Sequence, residues 1–189
     1  HRFWEVNKNG KATKSNGTIP SETVNKETSR PALAQAWRSF MDYNPDNGVL
    51  AMATQLGETI EIYNLNDNTH KVLYGPAGEP EFQTGKDGSG IPNGIMGFSD
   101  IKVTSKHIYA VFQGIKFKDK LATYQRGEQP EDGGRFIYVF DLQGNPVCKY
   151  TLDHAIYGID INEETNTIIA TEVKSDNPII EFKIKKCKT

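Results

Sequence analysis

The sequence predicts an all-β fold, a β-propeller whose blades are four-stranded antiparallel meanders. Short runs of alternating apolar and polar residues recur along the chain, which is typical of strands with one buried face. Polar turns follow these runs, and helical periodicity is nearly absent. The units also repeat, and a repeated supersecondary unit indicates a propeller or another repeat fold. The four alternating runs are residues 3–6, 60–63, 137–140 and 179–182.

A hairpin precedes the alternating run in three of the repeats. It consists of a strand, a tight turn rich in Asn, Asp, Gly or Ser, and a second strand. Such turns favour antiparallel pairing of the strands beside them. An aspartate at the same place in each hairpin favours true repeats over a β-sandwich, which short strands and frequent turns also describe. The hairpins cover residues 40–54, 98–111 and 158–171, and the aspartates are Asp42, Asp100 and Asp160.

The complete unit has four strands, named a to d in chain order. Strand c is the alternating run, and strand d follows its turn, at residues 71–74 and 146–150. The aspartates are 58 residues apart (42 to 100) and then 60 (100 to 160), which exceeds the roughly 40–50 residues of ordinary blades. We attribute the excess to two insertions, a Gly-, Pro- and Asp-rich segment at 75–97 and a polar loop at 116–135. Residues 31–39 predict one short helix or turn.

Residues 1–189 are predicted to form one partial propeller domain. In chain order the strands are c-d, a-b-c-d, a-b-c-d and a-b-c, so three a-strands are too few to close a ring. We therefore expect the C-terminal part of a larger propeller, with the missing strand d supplied by an absent N-terminal segment. A swapped or associated arrangement is the alternative. The expected blade edges are roughly 1–20, 35–75, 95–152 and 155–184.

Composition and charge exclude several classes of partner. The formal net charge is -2 and no block of Lys or Arg dominates, so nucleic-acid binding is not expected. No apolar stretch is long enough for a transmembrane helix. A signal peptide is absent and residue 1 is His, which predicts a processed or truncated start. Cys148 and Cys187 are expected to be half-buried thiols, with a disulfide as the alternative if the fold brings their strands together.

Two segments resemble TolB-like six-bladed propeller proteins. One is residues 138–147, an apolar strand followed by Asp, a Gly turn and another apolar strand, and the other is residues 155–182. The closest subset is the uncharacterised exported or lipid-anchored proteins of Gram-negative bacteria. The resemblance implies a six-bladed ring, a periplasmic or cell-surface location, possibly with a lipid anchor on the absent N-terminus, and an uncertain molecular role.

Positions that differ between repeats give the candidate binding residues. Strand a lines the central channel of a propeller, so side chains at its start project at the channel mouth. An Arg with two aromatic rings and two amides suits a polar ligand such as a carbohydrate or a peptide. The alternative for the Trp, favoured here, is a core aromatic between blades. The candidates are Trp37, Arg38 and Tyr157, joined by Gln55 and Gln113 after strand b.

The repeated aspartates also permit a metal hypothesis. Asp42, Asp100 and Asp160 would hold Ca²⁺ if their carboxylates converged in the channel. The same residue at the same blade position instead favours a structural hydrogen bond, so neither a metal nor any other cofactor is expected. The histidines lack metal-ligand spacing, and no serine-hydrolase elbow is present.

Three functions follow from these observations. The first is a non-enzymatic propeller of the bacterial envelope that binds a protein, peptide or carbohydrate, or acts as a scaffold. The alternative is a metal-dependent hydrolase of the lactonase or esterase kind, which also uses six-bladed propellers. A protein-interaction platform with one specific partner is the third. Whether the protein is an enzyme stays open, with the non-enzymatic function favoured.

Overall fold

The computed structural model describes residues 1–24, 28–172 and 174–184. Strands dominate this part of the chain, and two short helices lie between them. The elements are β1 (Phe3–Val6), β2 (Ala12–Asn16), α1 (Arg30–Ala36), β3 (Ser39–Asn44), β4 (Val49–Thr54), β5 (Thr59–Asn64), β6 (Thr69–Tyr74), β7 (Phe82–Thr84), β8 (Gly90–Pro92), β9 (Phe98–Val103), β10 (His107–Phe112), α2 (Phe117–Gln125), β11 (Gly134–Asp141), β12 (Pro146–Ile156), β13 (Ile159–Asn162), β14 (Thr167–Thr171) and β15 (Ile179–Lys183).

Two complete four-stranded meanders form the centre of the fold. The first blade is β3-β4-β5-β6 and the second blade is β9-β10-β11-β12, each in chain order with antiparallel neighbours. The sheet β13-β14-β15 forms the third blade, and β1-β2 is a hairpin ahead of the first. The prediction of an all-β fold built from propeller blades is therefore confirmed.

The sequence pattern explains how deeply each strand is buried. Every residue of β4 is buried, as its run of Val, Leu, Ala and Met predicts for a central strand. The outer strand β12 instead alternates between exposed and half-buried residues along most of its length. The turn between β11 and β12 closes through Asp141, whose Oδ1 accepts hydrogen bonds from Gln143 N (2.9 Å) and Asn145 N (2.8 Å). An aspartate that bonds the backbone two residues on is a standard turn device.

The inner strands β3, β9 and β13 lie side by side, and the blades pack around them. One apolar cluster fills the space between the first and second blades, with Ile101 and Ile108 at its centre. A second cluster between the second and third blades includes Val111, Ile137 and Ile168. Each blade therefore buries its faces against its neighbours, which is how propeller blades gain stability.

A buried ion pair fastens the N-terminal hairpin to the first blade. Arg2 Nη2 lies 2.7 Å from Glu61 Oε1, and both side chains are almost fully buried. The guanidinium also donates to Trp37 O (3.0 Å) and Ser39 Oγ (2.8 Å). Tyr63 donates its hydroxyl proton to Glu61 Oε2 at 2.6 Å. Burial, followed by this hydrogen bond, raises the pKa of Tyr63, so the hydroxyl stays protonated and keeps donating.

The structure corrects two expectations about the connecting segments. The 116–135 insertion is not a loop throughout, because α2 occupies residues 117–125. Ala155 and Ile156 end β12 of the second blade and do not open strand a of the third. The 75–97 insertion carries the β7-β8 hairpin, which packs against α1. The expectation of a free thiol is wrong for Cys148, which is disulfide-bonded; Cys187 lies outside the described residues.

Candidate functional site

Backbone hydrogen bonds bring three of the predicted binding residues together at the start of the inner strands. Gln55 N donates to Arg38 O at 2.9 Å, and Gly97 N donates to Gln55 O at 2.8 Å. Gln113 N in turn donates to Gly97 O at 2.8 Å. Gly97 has no room for a Cβ, which would meet Gly57 O at 2.4 Å. The first and second blades are thus joined directly through the backbone of these residues.

Tyr157 extends this surface to the third blade. Its backbone N–H donates to Thr171 O at 2.8 Å, which fixes it at the entry to β13. Its ring stands edge-on to Phe40 of the first blade, with 6.2 Å between the ring centroids. The ring is 37% exposed, and Arg38 is exposed as well. We call Arg38, Gln55, Gln113 and Tyr157 the strand-entry surface.

Trp37 does not belong to that surface. It is 1% exposed and follows the last turn of α1, where its backbone N–H donates to Leu33 O at 3.0 Å. The Arg2 guanidinium lies 5.7 Å from the centre of its ring. The structure therefore places Trp37 in the core, the alternative favoured from the sequence, and not at the channel mouth.

Two polar side chains, Gln113 of the strand-entry surface and the nearby Ser99, carry a buried atom without a hydrogen-bond partner in the described part of the chain. Gln113 Oε1 and Ser99 Oγ are buried without a hydrogen-bond partner among the described residues. Buried polar atoms are nearly always bonded to protein, water or ligand. Ser99 is the extra residue of a β-bulge, because Val111 pairs with Asp100 and Phe112 pairs with Phe98. The alternating pattern of β9 does not reveal a bulge, so sequence reasoning missed Ser99.

The repeated aspartates connect neighbouring blades. Asp42 Oδ2 accepts a hydrogen bond from Val103 N of the second blade at 2.8 Å. Asp100 Oδ2 accepts one from Ile159 N of the third blade at 2.8 Å. Asp160 is exposed. Within the described ranges, no group of three or more His, Cys, Asp or Glu side chains stands together as a metal site.

The connecting role of Asp100 predicts a stability difference between equivalent aspartates. Burial raises its pKa even though the Ile159 and Ile101 N–H groups bond its carboxylate. We expect Asp100→Ala to lower the free energy of unfolding by about 1–3 kcal/mol, since it leaves buried N–H groups unpaired. Urea unfolding measures the loss. Asp160→Ala is the matched control and should change little; an equal loss in both variants would contradict the connecting role.

Several solved structures are similar to this chain at low sequence identity. The chain is similar to the β-propeller domain of Cps50 (Swd1) from Myceliophteria thermophila, with 13% identity and a TM-score of 0.42 over 76% of this chain and 38% of that one. It is also similar to Kuenenia stuttgartiensis hydrazine synthase, with 16% identity and a TM-score of 0.35 over 88% and 49%. A chain of the mitotic checkpoint complex gives 10% identity and a TM-score of 0.27 over 77% and 60%. The chain thus spans less than two thirds of each of these solved chains.

The sequence of this chain matches a family model, although no curated protein matches the sequence. Among the described residues, no helix has the length and apolar character needed to cross a membrane. A family model described as TolB-like 6-blade propeller-like matches residues 1–164. That match covers the first and second blades and the start of the third. The chain therefore belongs to the TolB-like six-bladed propeller family, as the blade motifs predicted.

Proposed function

We propose that the strand-entry surface binds a polar ligand with a carboxylate, either a peptide or an acidic carbohydrate, and that the protein acts as a non-enzymatic binding propeller. The observation that supports this most directly is that the exposed Arg38, the exposed Tyr157 and the unbonded amide oxygen of Gln113 all lie beside the starts of the inner strands. These groups come from all three blades. Binding residues on loops held by a rigid scaffold are typical of recognition sites.

Each group has a defined part in this proposal. Arg38 offers planar donors that match a carboxylate in two parallel hydrogen bonds. The Tyr157 ring provides a flat apolar face for a sugar ring or an apolar side chain. Gln113 Oε1 is an unbonded acceptor buried beneath these groups, so it accepts from a ligand hydroxyl or amide that enters between the blades. Gln55 contributes its position through the backbone bonds that join the blades.

The location in the cell is part of the proposal. TolB-like proteins are typically periplasmic, which supports a place in the bacterial envelope, either free in the periplasm or lipid-anchored. Fractionation of cells that produce the full-length protein tests this location. Recovery in the cytoplasm alone would contradict it.

Binding to arrayed acidic peptides and uronic-acid glycans tests the proposed function. We expect the chain to bind a subset of these probes and Arg38→Ala to weaken that binding at least tenfold, roughly the worth of one charged hydrogen bond. Tyr157→Ala should also weaken it, because the apolar face of the ring is lost. Tyr43→Ala is the matched control, because Tyr43 is an exposed aromatic at the opposite end of β3. Equal binding by all variants, or no binding to any probe, would overturn the proposal.

A further inference from the structure

A cavity of about 600 Å³ opens between the first and second blades, and none of the four strand-entry residues lines it. Cavities of roughly 300–1,000 Å³ with mostly apolar walls are typical of small-molecule sites. Aromatic and aliphatic side chains from both blades form its walls. They include Ile60, Leu73, Phe98, Tyr138, Phe140 and Val147.

Contacts beside the cavity hold the two blades at a fixed separation. Lys71 Nζ donates to Gln143 O at 2.9 Å. Gly144 lies so close to the first blade that a Cβ would meet Ile62 Cδ1 at 2.9 Å and Leu73 at 3.2 Å. The cavity therefore exists before any ligand binds, and no blade movement is needed to form it.

One carboxylate, that of Glu58, lines this apolar space. Glu58 is 7% exposed, and its Oε2 accepts a hydrogen bond from Ala77 N at 3.1 Å. It forms no ion pair with any described residue, and the Tyr138 hydroxyl lies close enough to interact with its charge. Burial and then the Glu58 charge raise the pKa of Tyr138. Buried charges are normally paired, and among the described residues no cation pairs with this carboxylate.

The aromatic wall already supports a cation at the rim. Lys149 Nζ lies 3.8 Å from the centre of the Phe136 ring and 5.5 Å from that of Tyr138. Such distances are typical of cation–π contacts. Lys149 is exposed to solvent, so a ligand cation deeper in the cavity competes with it for the face of Tyr138.

We propose that this cavity binds a small organic cation, a primary ammonium carried on an apolar body. The ammonium pairs with the Glu58 carboxylate and supplies the missing positive charge. The apolar body packs against Ile60, Leu73 and Phe98. Charge complementarity selects the ligand class, because an apolar anion would meet the Glu58 carboxylate and a neutral molecule would leave its charge unpaired.

Three probes that share a phenyl ring and a four-carbon chain, and that end in a cationic, a neutral or an anionic group, test the inference. They are 4-phenylbutylamine, 4-phenylbutan-1-ol and 4-phenylbutanoate, each titrated into the whole chain by calorimetry at pH 7. We expect the amine to bind at least tenfold more tightly than the alcohol, from the worth of a charged hydrogen bond. Binding of the anion should be undetectable.

Four variants locate the site. Glu58→Gln should abolish the preference for the amine, and Lys149→Ala should strengthen amine binding because it removes a competing charge. Val147→Trp, at an exposed position on the rim, should block all probes without disturbing the fold. Glu163→Gln is the control, since this exposed carboxylate bonds Ser105 on the far side of the second blade.

Several results would contradict the binding of an organic cation in this cavity. Equal affinity for amine and alcohol, a preference that survives Glu58→Gln, or no amine binding at millimolar concentration would each overturn the proposal. If Glu58→Gln fails to fold, as judged by circular dichroism, Lys149→Ala and Val147→Trp still decide the question, since unchanged amine binding in both would also overturn it.

Discussion

Replacing Arg2 by alanine is expected to lower the free energy of unfolding by about 3–5 kcal/mol, the usual cost of removing one partner of a buried ion pair. The variant removes the guanidinium that pairs with the Glu61 carboxylate in the middle of β5. His70 Nε2, 3.6 Å away, is then its basic neighbour, and burial lowers the pKa of His70 and so disfavours its charged form. Glu61 itself is 0% exposed. Urea unfolding followed by circular dichroism measures the loss.

A second substitution separates the charge effect from lost packing. Glu61→Gln in the Arg2→Ala background removes the unpaired charge and should recover part of the lost stability. Lys14→Ala is the surface control, because its partner Glu5 lies in an exposed pair at 3.4 Å, and such pairs contribute little. The expectation is wrong if Arg2→Ala costs no more than Lys14→Ala.

Replacing Ile101 by alanine is expected to cost about 2–5 kcal/mol, the range for truncating a buried Ile or Leu. Ile101 is 0% exposed and lies in the cluster that joins the first and second blades. Truncation removes apolar contacts and leaves a cavity that strands fixed by hydrogen bonds cannot fill. Ile101→Val should cost less, about 0.5–1.5 kcal/mol, and thermal or urea unfolding measures both.

Ile169→Ala provides the matched control in the same residue type. Ile169 is 39% exposed on β14 of the third blade, so its truncation opens no interior cavity. We expect a loss of less than about 1 kcal/mol, as for most surface substitutions. A loss equal to that of Ile101→Ala would show that the inter-blade cluster does not carry the stability assigned to it.

Most strands could be predicted from the sequence because their signals are local. The alternation in residues 137–140 gives the more buried face of strand c directly. In residues 60–63 both faces are buried, because Arg2 pairs with Glu61 there. The turn at Asp141 is equally readable, since an Asp two residues before a loop N–H closes its own turn. Repetition then supplied the strand order, because equivalent aspartates number the strands.

Elements without a repeated signal were harder to predict. The residues of α2 have no buried face, so no apolar periodicity marks the helix. The sequence suggested a new blade at Ala155, but β12 continues to Ile156 because Gly134 of β11 still pairs there. That pairing depends on glycine: at Gly134 a Cβ would meet the backbone oxygen of Phe112 at 2.3 Å.

The candidate site was predicted in part. Arg38, Gln55 and Gln113 are joined by backbone bonds because the start of strand a and the end of strand b meet in every blade. The core position of Trp37 was favoured from the sequence, but its contact with Arg2, which comes from a distant segment, was not predicted. Glu58 and Tyr138 belong to different blades, and only the packing of those blades makes them neighbours.

The two aspartate contacts between blades share one polarity. In each, the earlier blade supplies the carboxylate and the later blade supplies the N–H, as Asp42 does with Val103 and Asp100 with Ile159. Such a contact is called heterologous, because the two surfaces that meet are different. Heterologous contacts close into a ring when the rotation allows and otherwise extend into a helix. Asp160 is the equivalent carboxylate on the third blade, so a further unit added there in the same orientation would place its backbone N–H against Asp160.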